Sequence, residues 1–129
     1  MELKRKDLIL PELSYKIIGV LFDVFNYLGY EYREKYYQRA IAKAFKEIRV
    51  NFKEQVYSPI EYKGENIGGY FFDFLVENKI ILEIKRGDNF STNDISQILS
   101  YLKKSKLQLG ILARFSSKGL KYRRIVNIN

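Results

Sequence analysis

The chain has 129 residues, 47% hydrophobic and 16% aromatic, which suits one domain (1–129) with a real core and excludes disorder. It holds no cysteine and no histidine, so disulfides, thiolate nucleophiles, a serine–histidine triad and the usual zinc ligands are excluded, and any metal must sit on oxygen, as Mg²⁺, Mn²⁺ or Ca²⁺ do. The net charge is +8, no apolar run nears the roughly 20 residues of a membrane span, and MELKRK leads into no signal-like segment, so a soluble, cytoplasmic protein without a membrane partner is expected.

Leu13, Ile17, Val20, Leu21, Val24, Phe25 and Leu28 recur at helical spacing, which predicts an amphipathic helix from Pro11 to Leu28 closed by Gly29. A second helix is predicted from Arg33 to Arg49, with Tyr37, Ile41, Ala44, Phe45 and Ile48 inward. Glu34 falls within about 20° of the Ile41 and Phe45 directions, so it leaves the buried stripe in the first turn. It either partners the helix dipole or joins an acidic cluster further along.

Gln55 to Tyr62 reads as a strand, and Pro59 within it points to a sheet edge or a bulge. Lys63 to Gly69 reads as a turn. Tyr70–Val76 and Ile80–Lys85 then have the aromatic and β-branched composition of two strands, joined by the polar loop Glu77-Asn78-Lys79. A three-residue loop sets Val76 opposite Ile80, and therefore Asp73 opposite Glu83 and Phe71 opposite Lys85. Unbroken alternation puts Phe71, Asp73 and Leu75 on one face and Tyr70, Phe72, Phe74 and Val76 on the other. Asp73, Glu83 and Lys85 then share a face. Two carboxylates about 5 Å apart repel, and need either a proton or a counter-charge such as Lys85 or a divalent cation. A solvent-facing strip of mixed charge is the alternative reading of the same pattern.

Arg86 to Phe90 reads as a loop, and Ser91 as the N-cap of a third helix whose Asp94 reaches back to it. That helix buries Ile95, Ile98, Leu99 and Leu102, and sets Gln97 and Tyr101 side by side, as a polar pair or as a packed border. Leu107 to Phe115 reads as a buried strand, Ser116 to Gly119 as a turn and Tyr122 to Ile128 as a last strand. From residue 95 onward there is no acid but eight bases: Lys103, Lys104, Lys106, Arg114, Lys118, Lys121, Arg123 and Arg124. This segment carries the whole net charge. A basic region beside an acidic cluster suits an enzyme acting on a polyanion, although a charge bias alone also serves solubility.

The order helix, strand, strand, strand, helix, strand, with D-x9-E-x-K on the second and third strands, resembles the PD-(D/E)XK nuclease superfamily, and within it the small GxxExxY proteins. The likeness runs from Leu28 to Val126. It rests on Leu28-Gly29 before Glu34-x-x-Tyr37, on Tyr62-Lys63-Gly64, on Asp73 with Glu83-Ile84-Lys85, on Gln97-x3-Tyr101-Leu102, and on Gly110-Ile111-Leu112 before Arg123-Arg124. Two positions depart from the family pattern: Glu31 stands where its glycine precedes the ExxY glutamate, and Arg114 where an asparagine is usual.

The resemblance implies an α/β fold, a mixed central sheet flanked by helices with core order αβββαβ and an extra N-terminal helix. It implies a Mg²⁺- or Mn²⁺-dependent nuclease acting on nucleic acid, with DNA the expected form. Asp73, Glu83 and the Ile84 carbonyl would hold the ion, Glu34 would support it, Lys85 would serve the attacking water, and Gln97 and Tyr101 would be accessory catalytic groups. The eight basic residues would grip the nucleic acid. The alternative within the same fold is a non-cleaving nucleic-acid-binding or accessory subunit, as a homodimer or within a larger assembly.

Overall fold

The computed structural model describes residues 9–128, so the charged start MELKRK and Asn129 lie outside the described residues. Helices α1 (Pro11–Leu28) and α2 (Glu34–Glu47) precede strands β1 (Phe52–Tyr62), β2 (Glu65–Val76) and β3 (Ile80–Arg86). Helix α3 (Thr92–Ser105) then leads to β4 (Leu109–Ser116) and β5 (Gly119–Val126). The five strands form one sheet in the order β1-β2-β3-β4-β5. Only β3 and β4 are parallel, because α3 carries the chain back between them; the other neighbours are antiparallel. The mixed sheet flanked by helices is the architecture that the sequence predicts. No helix among the described residues is long and apolar enough to cross a membrane.

The sheet is apolar on both faces. Ile17, Leu21 and Val24 of α1 and Ile41 and Phe45 of α2 close on Phe74, Val76, Leu82, Ile84, Ile111 and Phe115. On the opposite face Ile98 and Leu102 of α3 close on Phe72, Ile81, Leu112 and Ile125. Strand β3 is therefore buried on both sides, which explains why Ile80, Ile81, Leu82 and Ile84 are aliphatic on both faces. Gly110 lets α3 approach, since a Cβ there would stand 2.5 Å from Ile98 Cγ2 and 3.0 Å from Ile81 Cγ2.

Pro59 is accommodated because β1 is an edge strand. Lys63–Gly69 is not one turn: only Lys63 and Gly64, both at positive φ, reverse the chain, and Glu65–Gly69 continue β2 against β1. The glycines are compatible with a strand there because the Tyr57 ring occupies the space a side chain at Gly69 would need.

The β2–β3 register is the predicted one at Val76–Ile80, Leu75–Ile81 and Phe74–Leu82, but the ladder stops there. Asp73 and Glu83 are not a ladder pair, and neither are Phe71 and Lys85. The predicted alternation also fails at the same place. Phe74 and Val76 pack beneath α1 and α2, whereas Phe72 packs beneath α3. On β1, Phe52 and Val56 are likewise split between the two faces. Between those pairs Gln55 takes a φ of 51°, and neither it nor Asp73 has a partner in the β1–β2 ladder. Both strands thus turn over together at Gln55 and Asp73.

Candidate active site

Where β2 and β3 part, side chains replace the missing ladder bonds. Ile84 N–H donates to Asp73 Oδ2 at 2.7 Å, and Asp73 N–H donates to Glu83 Oε1 at 3.0 Å. The remaining oxygens are taken by Gln38 Nε2, 2.7 Å from Asp73 Oδ1, and by the Tyr70 hydroxyl, 2.7 Å from Glu83 Oε2. Both carboxyls are buried, at 8% and 3% exposure. Burial and the neighbouring Glu83, which also hydrogen-bonds to it, push Asp73 up to about 8, against the pull of the Ile84 N–H. Burial beside a second carboxyl thus favours the protonated form of Asp73. The Tyr70 phenol is raised well beyond its ordinary range by burial and by Glu83.

Lys85 stands between two acids, its Nζ 3.7 Å from Glu83 Oε2 and 3.9 Å from Asp94 Oδ1. Asp94 does not reach back to Ser91 as predicted; the Ser91 Oγ accepts from Asn93 N and Asp94 N, while the Asp94 carboxylate faces Lys85 and Arg114. Arg114 places Nη2 3.3 Å from Asp94 Oδ2, and its Nε is buried without a hydrogen-bond partner. Arg114, counted among the basic residues of the C-terminal third, is thus a buried cation that holds Asp94.

Glu34 is set by its neighbour one turn on. Tyr37 is fully buried against Phe115, with ring centroids 4.2 Å apart, and its hydroxyl donates to Gly29 O at 2.5 Å, which ties down the entry to α2. Glu34 then accepts from Arg86 N–H at 3.0 Å, and its charge helps to raise Asp73. Gln97 and Tyr101 do not hydrogen-bond to Asp73, Glu83 or Lys85. Gln97 Oε1 is buried without a partner, and Tyr101 lies against Phe72 with its phenol raised by burial.

The basic residues occupy several surfaces. Arg123 reaches the Phe90 ring, but Arg124 turns to the opposite face of β5 and donates to Ser14 Oγ and Ile9 O on the α1 side. Lys118 and Lys121 act on Asp88 near the β4–β5 turn, and Lys103, Lys104 and Lys106 are exposed at the end of α3.

Three neighbours of the carboxylates escape the sequence reading: Gln38, Tyr70 and Asp94. Gln38 is visible only as the residue one turn after Glu34. Tyr70 reaches Glu83 because β2 turns over at Asp73, which no motif announces.

The donor set fits a hard cation. Two buried carboxyls side by side present oxygen atoms at a place where burial and like charge favour a proton, which a divalent ion could replace. Among the described residues no three acidic side chains converge on one point, so water or phosphate oxygens would complete the coordination.

A solved structure described as the crystal structure of SSO0001 is similar to this one with a TM-score of 0.54 at 15% identity, covering 98% of this chain and 58% of that one. The likeness is one of fold, and the chain spans little more than half the length of that protein. No curated protein matches the sequence. A model of the PD-(D/E)XK nuclease superfamily matches residues 11–125, and the chain belongs to that superfamily.

Proposed function

We propose that the protein is a Mg²⁺- or Mn²⁺-dependent nuclease of the GxxExxY type that hydrolyses phosphodiester bonds in nucleic acid, with DNA the preferred substrate. The observation that carries this reading is the buried Asp73–Glu83 pair, set side by side and tied to the backbone where the β2–β3 ladder is interrupted.

Asp73, Glu83 and the Ile84 carbonyl would hold the ion, with Glu34 beside them. When bound, it would polarise the phosphate and lower the pKa of a water. Lys85 is poised by Glu83 and Asp94 to orient that water or to stabilise charge developing on the phosphate. Gln38 and Tyr70 fix the outer oxygens of the two carboxyls and so preset their direction. Gln97 and Tyr101 act on the substrate side of this cluster.

The test is cleavage of labelled DNA and RNA in single-stranded, duplex and branched forms, with Mg²⁺ or Mn²⁺ against chelator. Asp73→Ala and Glu83→Ala should each abolish cleavage. Wild-type rates in either variant would remove the assignment. One feature favours a second reading, a non-cleaving binding or accessory subunit: all four carboxylate oxygens already have donors within the protein. Binding without cleavage in every metal would select it.

A further inference from the structure

We infer that a single strand of nucleic acid lies in the groove between α3 and the β1–β2 hairpin, with its phosphates on Lys104 and the serines of α3. This rests on the proposed phosphodiesterase reading and adds the route by which substrate meets the site.

The groove begins beside Tyr70, whose hydroxyl donates to Glu83. A cavity of about 250 Å³ is lined by Tyr70, the hydrogen-bond partner of Glu83, and by Gln97, Ser96, Ser100 and Lys104. A second, of about 410 Å³, continues past Tyr101 and shares Ser58 and Lys104 with the first. Through these shared residues the two cavities adjoin between α3 and the β1–β2 hairpin.

Its chemistry is that of a phosphate track. Ser96, Ser100 and Lys104 are four residues apart, so one exposed line of the helix carries two hydroxyls and an ammonium, about 6 Å between steps. The hydroxyls of Ser58, Ser96 and Ser100 make no hydrogen bond to any described residue. Lys104 Nζ uses one donor on Pro59 O at 3.1 Å and has two left. Hydroxyls and lysine are the side chains that fix a nucleic-acid backbone without reading its bases. After Asp94 the helix carries no acid. Glu61 also lines the larger cavity, where its charge repels phosphate. Tyr57, Tyr70 and Tyr101 line the same cavities, and aromatic rings beside hydroxyl and basic side chains suit the unpaired bases of one strand.

The experiment is fluorescence anisotropy with a labelled single-stranded oligodeoxynucleotide and the full chain in chelator, so that nothing is cut. Lys104→Ala should weaken binding about fivefold or more and reduce the slope of log K against log salt by about 0.7. Ser100→Glu should weaken it about tenfold, and Glu61→Lys should tighten it. All three positions are exposed, and unchanged melting temperatures would show that the fold is intact. Lys43→Ala with Lys46→Ala, both exposed on α2 across the sheet from α3, should leave affinity nearly unchanged. Wild-type affinity in Ser100→Glu and Lys104→Ala, or loss confined to the Lys43 and Lys46 variant, would overturn the groove. Cleavage that persists while binding ignores the groove would reject this inference alone. Groove-dependent binding with no cleavage in any metal would reject the nuclease reading and leave the groove in place.

Discussion

Asp73 and Glu83 are joined across the gap between β2 and β3, the N–H of the first donating to the carboxylate of the second, with both carboxyls buried side by side. Burial and the charge of Glu83 favour a proton on Asp73. Folding raises the Asp73 pKa from 3.8 to about 8, so between those values the folded state binds the proton and the unfolded state does not. Stability from this group is fully present below pH 4 and falls as pH rises toward 8, by at most about 1.4 kcal/mol per unit. Asp73→Asn should flatten that decline in chemical denaturation at a series of pH values. The amide is accommodated, since Gln38 can turn over to accept from it while Ile84 N–H keeps its oxygen partner. An equal slope in both proteins would show that Asp73 is ionised throughout.

A divalent cation should replace that proton. At one hundred times its Kd it would stabilise the fold by about 2.7 kcal/mol, seen as a higher melting temperature in Mg²⁺ or Mn²⁺ than in chelator. Calorimetry at pH 7 in buffers of different ionisation enthalpy should register proton release. Asp73→Asn should lose both responses.

Tyr70→Phe removes a single hydrogen bond from a buried carboxylate and leaves Lys85 as the neighbour of Glu83 Oε2. The expected loss of stability is about 1 to 2 kcal/mol. If Tyr70 also presets Glu83, cleavage should fall with little change in substrate affinity. A fall in affinity alone would place Tyr70 on the substrate and not behind the carboxylate.

Arg114→Ala should cost about 3 kcal/mol, because it leaves Asp94 with only Lys85 and empties a buried site. Lys85 would be drawn toward Asp94 and away from Glu83, so cleavage should drop. Arg114→Lys keeps the charge but not the fork, and should recover stability only in part.

Gly110→Ala tests how α3 is seated. The added methyl meets Ile98 and Ile81 in a filled core, and a loss of about 1 to 3 kcal/mol is expected in thermal or denaturant unfolding.

The elements were legible in the sequence because their signals are local: Leu13 to Leu28 at helical spacing, β3 as an aliphatic run, and Pro59 marking an edge. The β2–β3 register followed from the length of Glu77-Asn78-Lys79. Superfamily membership followed from Asp73 and Glu83-Ile84-Lys85. What was not legible depends on one backbone event. Gln55 adopts a positive φ without being glycine, β1 and β2 turn over together, and Tyr70 and Phe72 move to the face opposite the one that alternation from Phe74 assigns. Lys63 to Gly69 read as a turn because glycine is scored as a strand breaker, whereas the Tyr57 ring fills the space above Gly69. Arg114 read as a surface base because composition cannot see that Asp94 lies opposite it.

The interrupted ladder places two demands on the same pair of acids. Asp73 and Glu83 are the acceptors for the two main-chain N–H groups that would otherwise be stranded in the interior. A descendant of this protein that no longer cut anything would still lose backbone pairing if either acid gave way to a side chain with no acceptor oxygen. Drift at these positions is therefore restrained by folding as well as by chemistry. Gln38, Lys85 and Asp94 bind no main-chain group of the parted strands, so loss of activity would leave its first trace there.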